Sequence, residues 1–501
     1  MRMGNGDPAG APGRTGPEQL STGVPGLDRL MAGGLRRGGL HVVVGGPGAG
    51  KSVLAHQVGA HQIRAGGKVL YLTALVETHQ MLLEQARTFR FFDPSFVPGS
   101  FYYASLYPAL AAGGLQGARE EIGRLVAHHA PTLLVVDGVH ALKAASGSLL
   151  DYQRFMHDME AQAAVAGTTT LMLVHPPEGG IASDPTLTIA DAILHMRSRM
   201  VRLRDVRLFS VGKLRGVGHV GGWHTFRITG DGVRVFPRVE ALASSMRAHV
   251  DGVSGSPQPA GGGLLDVRIE GLKEMLGGGL DHGSVTLVVG TPGGGKTLFG
   301  LAFLAAGAEA GEPGLLLGYH ETPETLADKG EGVGLRIRRG IDEGKLHFDW
   351  RAPSELLADE EVERLLALIE AHGIRRVVID ALEDVRQGVI PRSRELVVLA
   401  SLANLLRQRE VTTVVLHDLQ RIVGVSFDMP MAELSAVMDN VLHLRAVEQK
   451  GELRRLIAIL KVRARMHDHA LREFHVTPKG MSVGKPFSGS EMVLTGLGLP
   501  R

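Results

Sequence analysis

The pattern G-x-x-x-x-G-K-[ST] occurs twice in the chain. The first match is GGPGAGKS (Gly45, Gly46, Pro47, Gly48, Ala49, Gly50, Lys51, Ser52). The second is GTPGGGKT (Gly290, Thr291, Pro292, Gly293, Gly294, Gly295, Lys296, Thr297). These residue types fit phosphate chemistry. Glycines let backbone N–H groups approach phosphate oxygens with no Cβ in the way, and a helix opening directly after them adds the positive end of its dipole. In that arrangement Lys51 and Lys296 would reach the β- and γ-phosphates of a nucleoside triphosphate, and Ser52 and Thr297 would ligate magnesium. A glycine turn that merely joins strand to helix is the plainer reading. An apolar strand before and a helical pattern after, at both places, count against it.

Chemistry of this kind also needs an acid to orient the metal's shell. Asp137 in LLVVDG and Asp380 in VVIDAL each close a strand-length apolar run. A helix N-cap or a turn explains one such Asp; two at matched distance from the phosphate loops favour the metal role. Hydrolysis needs a group that orients water. Glu77 in LTALVETHQ and Glu321 in LGYHETPET follow the apolar run after each phosphate-loop helix, at the sheet edge that would face a nucleotide. A capping Glu at a helix start is the alternative. His175 and His417 end another apolar run, where either a nucleotide sensor or a structural histidine would sit. His467-Asp468-His469 alternates as metal ligands on a strand would, but no third ligand is evident.

The elements that must hold these residues are written twice. Lys51 and Lys296 are 245 residues apart, Glu77 and Glu321 244, Asp137 and Asp380 243, and His175 and His417 242. Two Lys-x-Arg pairs, Lys213/Arg215 and Lys461/Arg463, are offset by 248. Landmarks at near-constant offset mean an internal duplication. The expected layout is a disordered Gly/Pro-rich tail over 1–17, a first domain over 18–249, a linker over 250–263 and a second domain over 264–501. In each copy strand-length apolar runs alternate with helical patterns. Examples are KVLYLTAL before THQMLLEQARTF, and TTTLMLV before TIADAILHMRSRM. The fold class is therefore α/β, with a mostly parallel sheet flanked by helices in each copy. EEIGRLVAHH and ELVVLASLANLLRQR carry the spacing of core helices. FDMPM (427–431) reads as turn packing or a contact loop.

Composition narrows the classes further. The 501 residues hold 54 Lys plus Arg against 52 Asp plus Glu, a net charge of +2, which excludes a polybasic nucleic-acid coat. With no cysteine there are no disulfides, thiolate metal sites or Cys nucleophiles, and a cytoplasmic setting is expected. The N-terminal residues lack the apolar core of a signal peptide. No run reaches 18 uninterrupted apolar residues, so no membrane span is expected.

Taken together, the duplicated loops, STGVPGLDRLMAGGLRRG before the first of them, HETPETLADKG after the second, and LKVRARMHDHALREFHVTPKGMSVG near the end resemble the KaiC family of RecA-like ATPases. The resemblance covers nearly all of the chain beyond its N-terminal tail. It implies two tandem RecA-like P-loop domains, ATP and Mg2+ as the bound pair, and six chains in a stacked double ring with ATP between neighbours. Lys213 and Arg215, and Lys461 and Arg463, match the family's Lys-x-Arg pairs, which reach the γ-phosphate from the adjacent subunit. Two departures stand out. The family's site often carries adjacent glutamates, and here the first is Val76 or His320. Clock members phosphorylate a Ser-Thr pair just before an Asp that Asp439 matches; here those positions are Ser435 and Ala436, so one acceptor survives. The expected output is a conformational, signalling ATPase, with autophosphorylation at Ser435 open. A nucleic-acid-dependent ATPase of the RadA or DnaB kind would share the core, but no basic run or appended DNA-binding module is present. A scaffold that uses ATP only as glue between subunits is the third reading.

Overall fold

The computed structural model describes residues 18–74, 79–176, 185–201, 203–247, 263–419, 432–449, 452–463 and 465–487. The chain forms two compact units that meet in sequence between Arg238 and Val239, and each carries a nine-stranded sheet.

In the first unit the strand Leu40–Gly45 is central, between Thr169–Val174 and Ala192–Val201. Beyond Thr169–Val174 the sheet continues, all parallel, through Leu133–Asp137 and Val69–Thr73 to Phe101–Ser105. Beyond Ala192–Val201 it turns antiparallel through Arg204–Leu214, His224–Thr229 and Gly232–Phe236. Side chains of the central strand alternate between two cores. Val43 packs with Leu54, Tyr71 and Phe101 on one face, and Val42 and Val44 with Leu70, Ile122 and Met159 on the other. A strand covered on both faces has no solvent side to mark with polar residues, hence its unbroken apolar run.

The second unit repeats this order strand for strand. Val285–Gly290 lies between Thr412–Asp418 and Asn440–Gln449. The parallel side runs on through Arg376–Asp380 and Gly314–Gly318 to Leu346–Trp350, and the antiparallel side is Glu452–Val462, Arg472–Thr477 and Gly480–Pro486. The expected class, two tandem α/β domains of the RecA-like kind with mostly parallel sheets, is what the chain adopts.

One element departs from expectation. TIADAILHMRSRM, rich in the helix formers Ala, Leu, Met and Arg, reads as a helix; it holds all but the last residue of the strand Ala192–Val201. Both edges of that strand are paired, one to Leu40–Gly45 and one to Arg204–Leu214, and this pairing outweighs local propensity. The other expected helices form, including His79–Arg87, Tyr107–His129 and Glu395–Gln408. The helix Val239–Arg247 packs in the second unit. Val239, Leu242 and Ala243 join its core, and Arg394 bonds Glu240 at 2.6 Å. The expected FDMPM loop lies outside the described residues. Among the described residues no helix is long and apolar enough to cross a membrane.

Candidate functional site

Parallel strands deliver their C-terminal ends to one edge of each sheet, and the loops that follow gather there. In the first unit Gly45 ends the central strand, Gly48 and Gly50 take φ of 69° and 100°, and the helix Lys51–Arg64 starts at once. Those positive φ values are what demand glycine. A Cβ added at Gly45 would sit 2.7 Å from the Met196 carbonyl, whereas at Gly46 or Gly48 it would meet nothing within 4 Å. The loop therefore lies tight against the sheet at its start and open at its crest.

Lys51 folds back over this crest, donating to the carbonyls of Gly45 (2.6 Å) and Gly46 (3.0 Å). Burial lowers its pKa below the usual lysine range, against the pull of Asp137. Ser52 Oγ donates to Asp137 Oδ2 at 3.1 Å. Asp137 also accepts from the Tyr71 hydroxyl at 2.6 Å and from the Gly138 amide at 2.7 Å. Burial and the neighbouring carboxylate hold the Tyr71 phenol well above its ordinary pKa, so it stays a donor. Arg207 closes the far side, donating to the Gly48 carbonyl at 2.8 Å. His175 packs edge-on to His140 with ring centroids 4.9 Å apart; burial, then Lys51, keep its pKa below the usual histidine value.

The second unit builds the same frame. Gly293 and Gly295 take φ of 76° and 101°, and the helix Lys296–Glu309 follows. Lys296 donates to the carbonyls of Gly290 (3.1 Å) and Thr291 (3.0 Å) and also meets Asp418 Oδ1 at 2.5 Å. Thr297 Oγ1 donates to Asp380 Oδ2 at 2.9 Å. Burial pushes the Asp380 carboxyl above the usual range, with the Thr297 hydrogen bond acting against it. Arg455 bonds the Gly293 carbonyl at 3.1 Å, as Arg207 does at Gly48. A cleft of about 610 Å³ opens here, lined by Lys296, Thr297, Glu321, Asp380, Asp418 and Arg455 among others. That volume suits a nucleotide-sized ligand.

The remaining expected residues fall as follows. Glu77 lies outside the described residues. Glu321 lines the second cleft and is ion-paired with Lys329. His320, which stands where the family often has a glutamate, pairs instead with Asp384 at 2.9 Å. Burial pushes the Asp384 carboxyl up, and His320 opposes that. His417 is buried at its strand end, and burial lowers its pKa. Lys213 and Arg215 both donate to the Thr188 carbonyl, at 2.6 and 2.8 Å. Lys461 bonds the carbonyls of Ser435 and Met438 at 2.5 and 2.8 Å, and Arg463 that of Ala436 at 3.1 Å. Both Lys-x-Arg pairs thus clamp the backbone just ahead of the strand beside their own phosphate-loop strand. Ser435 lies on the helix Ala432–Val437, half-buried. Asp439 accepts from the Val285 amide, Arg407 and Arg463, which ties the segment after Ser435 to the central strand.

Sequence reasoning missed Tyr71, Asp418, Asp384 and Lys329. Comparing the repeats at matched offsets isolates two of them: Tyr71 stands against Leu316, and Asp418 against Pro176.

A model of the KaiC ATPase family matches residues 20–240 and again 265–488. The circadian clock protein KaiC3 of Synechocystis sp. is 26% identical over 494 residues, covering 96% of this chain and 94% of that protein. The circadian clock oscillator protein KaiC of Picosynechococcus sp. is 24% identical, covering 96% of this chain and 92% of its own length. The circadian clock oscillator protein KaiC 1 of Synechocystis sp. is 25% identical with the same two shares. With two phosphate-binding frames built alike and the family's model matched twice across most of its length, this chain belongs to the KaiC family of ATPases.

Proposed function

We propose that this protein is a magnesium-dependent ATP hydrolase in which both repeats bind ATP, six copies form a stacked double ring, and the output is conformational. The observation that carries the proposal is the pairing of loop hydroxyl and strand-end carboxylate, Ser52 with Asp137 and Thr297 with Asp380, beside Lys51 and Lys296. These oxygens are the donor set a magnesium ion takes, and the open space over Gly48 and Gly293 leaves room for phosphates. Magnesium, when bound there, would neutralise charge developing on the phosphate oxygens.

The chain's own residues supply the rest. Backbone N–H groups of the loops 45–52 and 290–297, other than Pro47 and Pro292, cradle the phosphates, with Lys51 and Lys296 on the β- and γ-groups. Glu77 and Glu321 orient the attacking water. Lys213, Arg215, Lys461 and Arg463 act on a neighbouring copy's ATP. The hold of Lys461 and Arg463 on the carbonyls of Ser435, Met438 and Ala436 would link the state of that ATP to the segment holding Ser435, which we propose as a phosphoacceptor. One acid per site in place of two makes slow turnover the expectation. As repeats of sequence, the domain extents that go with this reading are 18–249 and 264–501, with the helix Val239–Arg247 at the end of the first repeat packing in the second unit; the location is the cytoplasm.

The test follows γ-labelled ATP with magnesium, reading free phosphate and protein-bound label in one tube. Free phosphate lost in Lys51→Ala and Lys296→Ala supports the ATPase. Label lost in Ser435→Ala adds the autokinase. Neither signal would leave ATP as glue between subunits and sink the proposal. Sedimentation with and without ATP checks the ring; a monomer at saturating ATP and magnesium would contradict it.

A further inference from the structure

The metal-anchoring acid of the first repeat is held by a contact that the second repeat cannot make. Tyr71, fully buried in the strand Val69–Thr73, donates to Asp137 Oδ2 at 2.6 Å. The same oxygen accepts from Ser52 at 3.1 Å, while Oδ1 accepts from the Gly138 amide at 2.7 Å. Tyr71 faces Val135 across the sheet, and Leu316 faces Val378, each two residues before the acid. Leu316 has no donor. The difference extends behind the strand. The Tyr71 ring stacks on His56 with centroids 4.7 Å apart, and His56 bridges the Ser52 carbonyl (2.7 Å) and the Tyr103 hydroxyl (3.0 Å). At the matching places the second repeat has Leu301 and Phe348.

We propose that Tyr71 is a positioning residue for the divalent-metal site of the first repeat, and that the two repeats therefore grip their metals by different means. The proposal rests on Asp137 being the metal anchor. A carboxylate turns freely about its Cβ–Cγ bond, and three donors on two oxygens leave it one orientation. Tyr71 is rigid because its ring is clamped in an aromatic stack, so the oxygen beside the Ser52 hydroxyl is fixed before any metal arrives. Groups that fix a ligand this way typically carry tenfold or more in metal affinity. Asp380 has only the Thr297 hydroxyl as a side-chain donor among the described residues and must be ordered by the metal itself.

The experiment uses the full chain carrying Lys296→Ala, so that only the first repeat's loop reports. The affinity of a fluorescent ATP analogue is measured with magnesium and again with EDTA; the ratio is the metal's contribution. Tyr71→Phe is expected to cut that ratio roughly tenfold and leave the EDTA affinity unchanged. Tyr103→Phe, which removes a phenol from the same cluster without touching Asp137, is expected to change neither value. An unchanged ratio in Tyr71→Phe, with the ratio lost in Asp137→Asn, overturns the role of Tyr71 alone. A ratio that survives Asp137→Asn overturns the reading of Asp137 as the anchor. A Tyr71→Phe loss that appears equally in EDTA, or equally in Tyr103→Phe, makes the phenol a prop of the fold and overturns the proposal.

Discussion

Lys296 meets Asp418 at 2.5 Å, while Lys51 of the first repeat has Pro176 at the matching place. If Lys296 takes the phosphate role proposed above, a carboxylate in the second repeat competes with phosphate for the loop's cation. Asp418 is 51% exposed, so solvent screening keeps the pair to about 1 kcal/mol or less. Asp418→Asn is expected to tighten ATP binding at the second repeat by a factor of roughly two to five. Titration of a fluorescent ATP analogue into the Lys51→Ala chain reads this. Weaker binding would mean that Asp418 positions Lys296 for the nucleotide rather than withholding it.

Glu321 is tied to Lys329 on the helix Pro323–Glu331. A base held in an ion pair is less free to take up water. Lys329→Gln is expected to raise phosphate release from the second repeat about two- to fivefold, and Glu321→Gln to lower it on the order of 100-fold in either background. A rise that persists in the Lys329→Gln, Glu321→Gln double variant would show that Glu321 is not the group released.

Two glycines of one loop separate steric demand from backbone demand. A Cβ at Gly290 would lie 2.2 Å from the Leu444 carbonyl on the neighbouring strand. Gly290→Ala must push that strand aside, and a loss of about 3 kcal/mol is expected. Gly293 has open space but a φ of 76°, so Gly293→Ala should cost only about 1 kcal/mol. Denaturant unfolding of the two variants gives the order directly, and equal losses would refute the distinction.

Buried histidines make the first unit acid-sensitive. His41 and His56 are each held near pKa 4, chiefly by burial, against a free value of 6.5. Each stays neutral in the fold while the unfolded chain takes up a proton as pH falls. Their stabilisation is fully present above pH 6.5 and is lost progressively between 6.5 and 4, up to ~3 kcal/mol apiece. Thermal unfolding near pH 7.5 and near pH 5 should show the drop. His56→Leu, which installs the residue type of the matching position Leu301, should flatten part of it. A melting temperature that is equally pH-dependent in that variant would count against this origin.

The phosphate loops, their carboxylates and the duplication were legible because each rests on residue types at fixed spacing. The sheets were legible as alternating runs, except at Ala192–Val201, where helix-forming residues are held extended by partners on both edges. Tyr71 was hidden because an aromatic inside KVLYLTAL reads as core, and only the strand register brings its hydroxyl to Asp137. The targets of Lys213 and Lys461 were hidden for a similar reason. Alternation says which face a strand residue takes, but not which carbonyl lies within its reach.

The helix Val239–Arg247 closes the first copy in sequence yet completes the interior of the second unit, where Leu242 is only 3% exposed. The seam left by gene duplication and the seam along which the molecule packs are therefore out of step by one helix. A cut in the Gly/Pro-rich segment after it would turn part of the second body's interior into surface. Any recombination or fusion that moves the second copy must carry this helix along, so the heritable module begins earlier in the chain than the repeat that can be read in its letters.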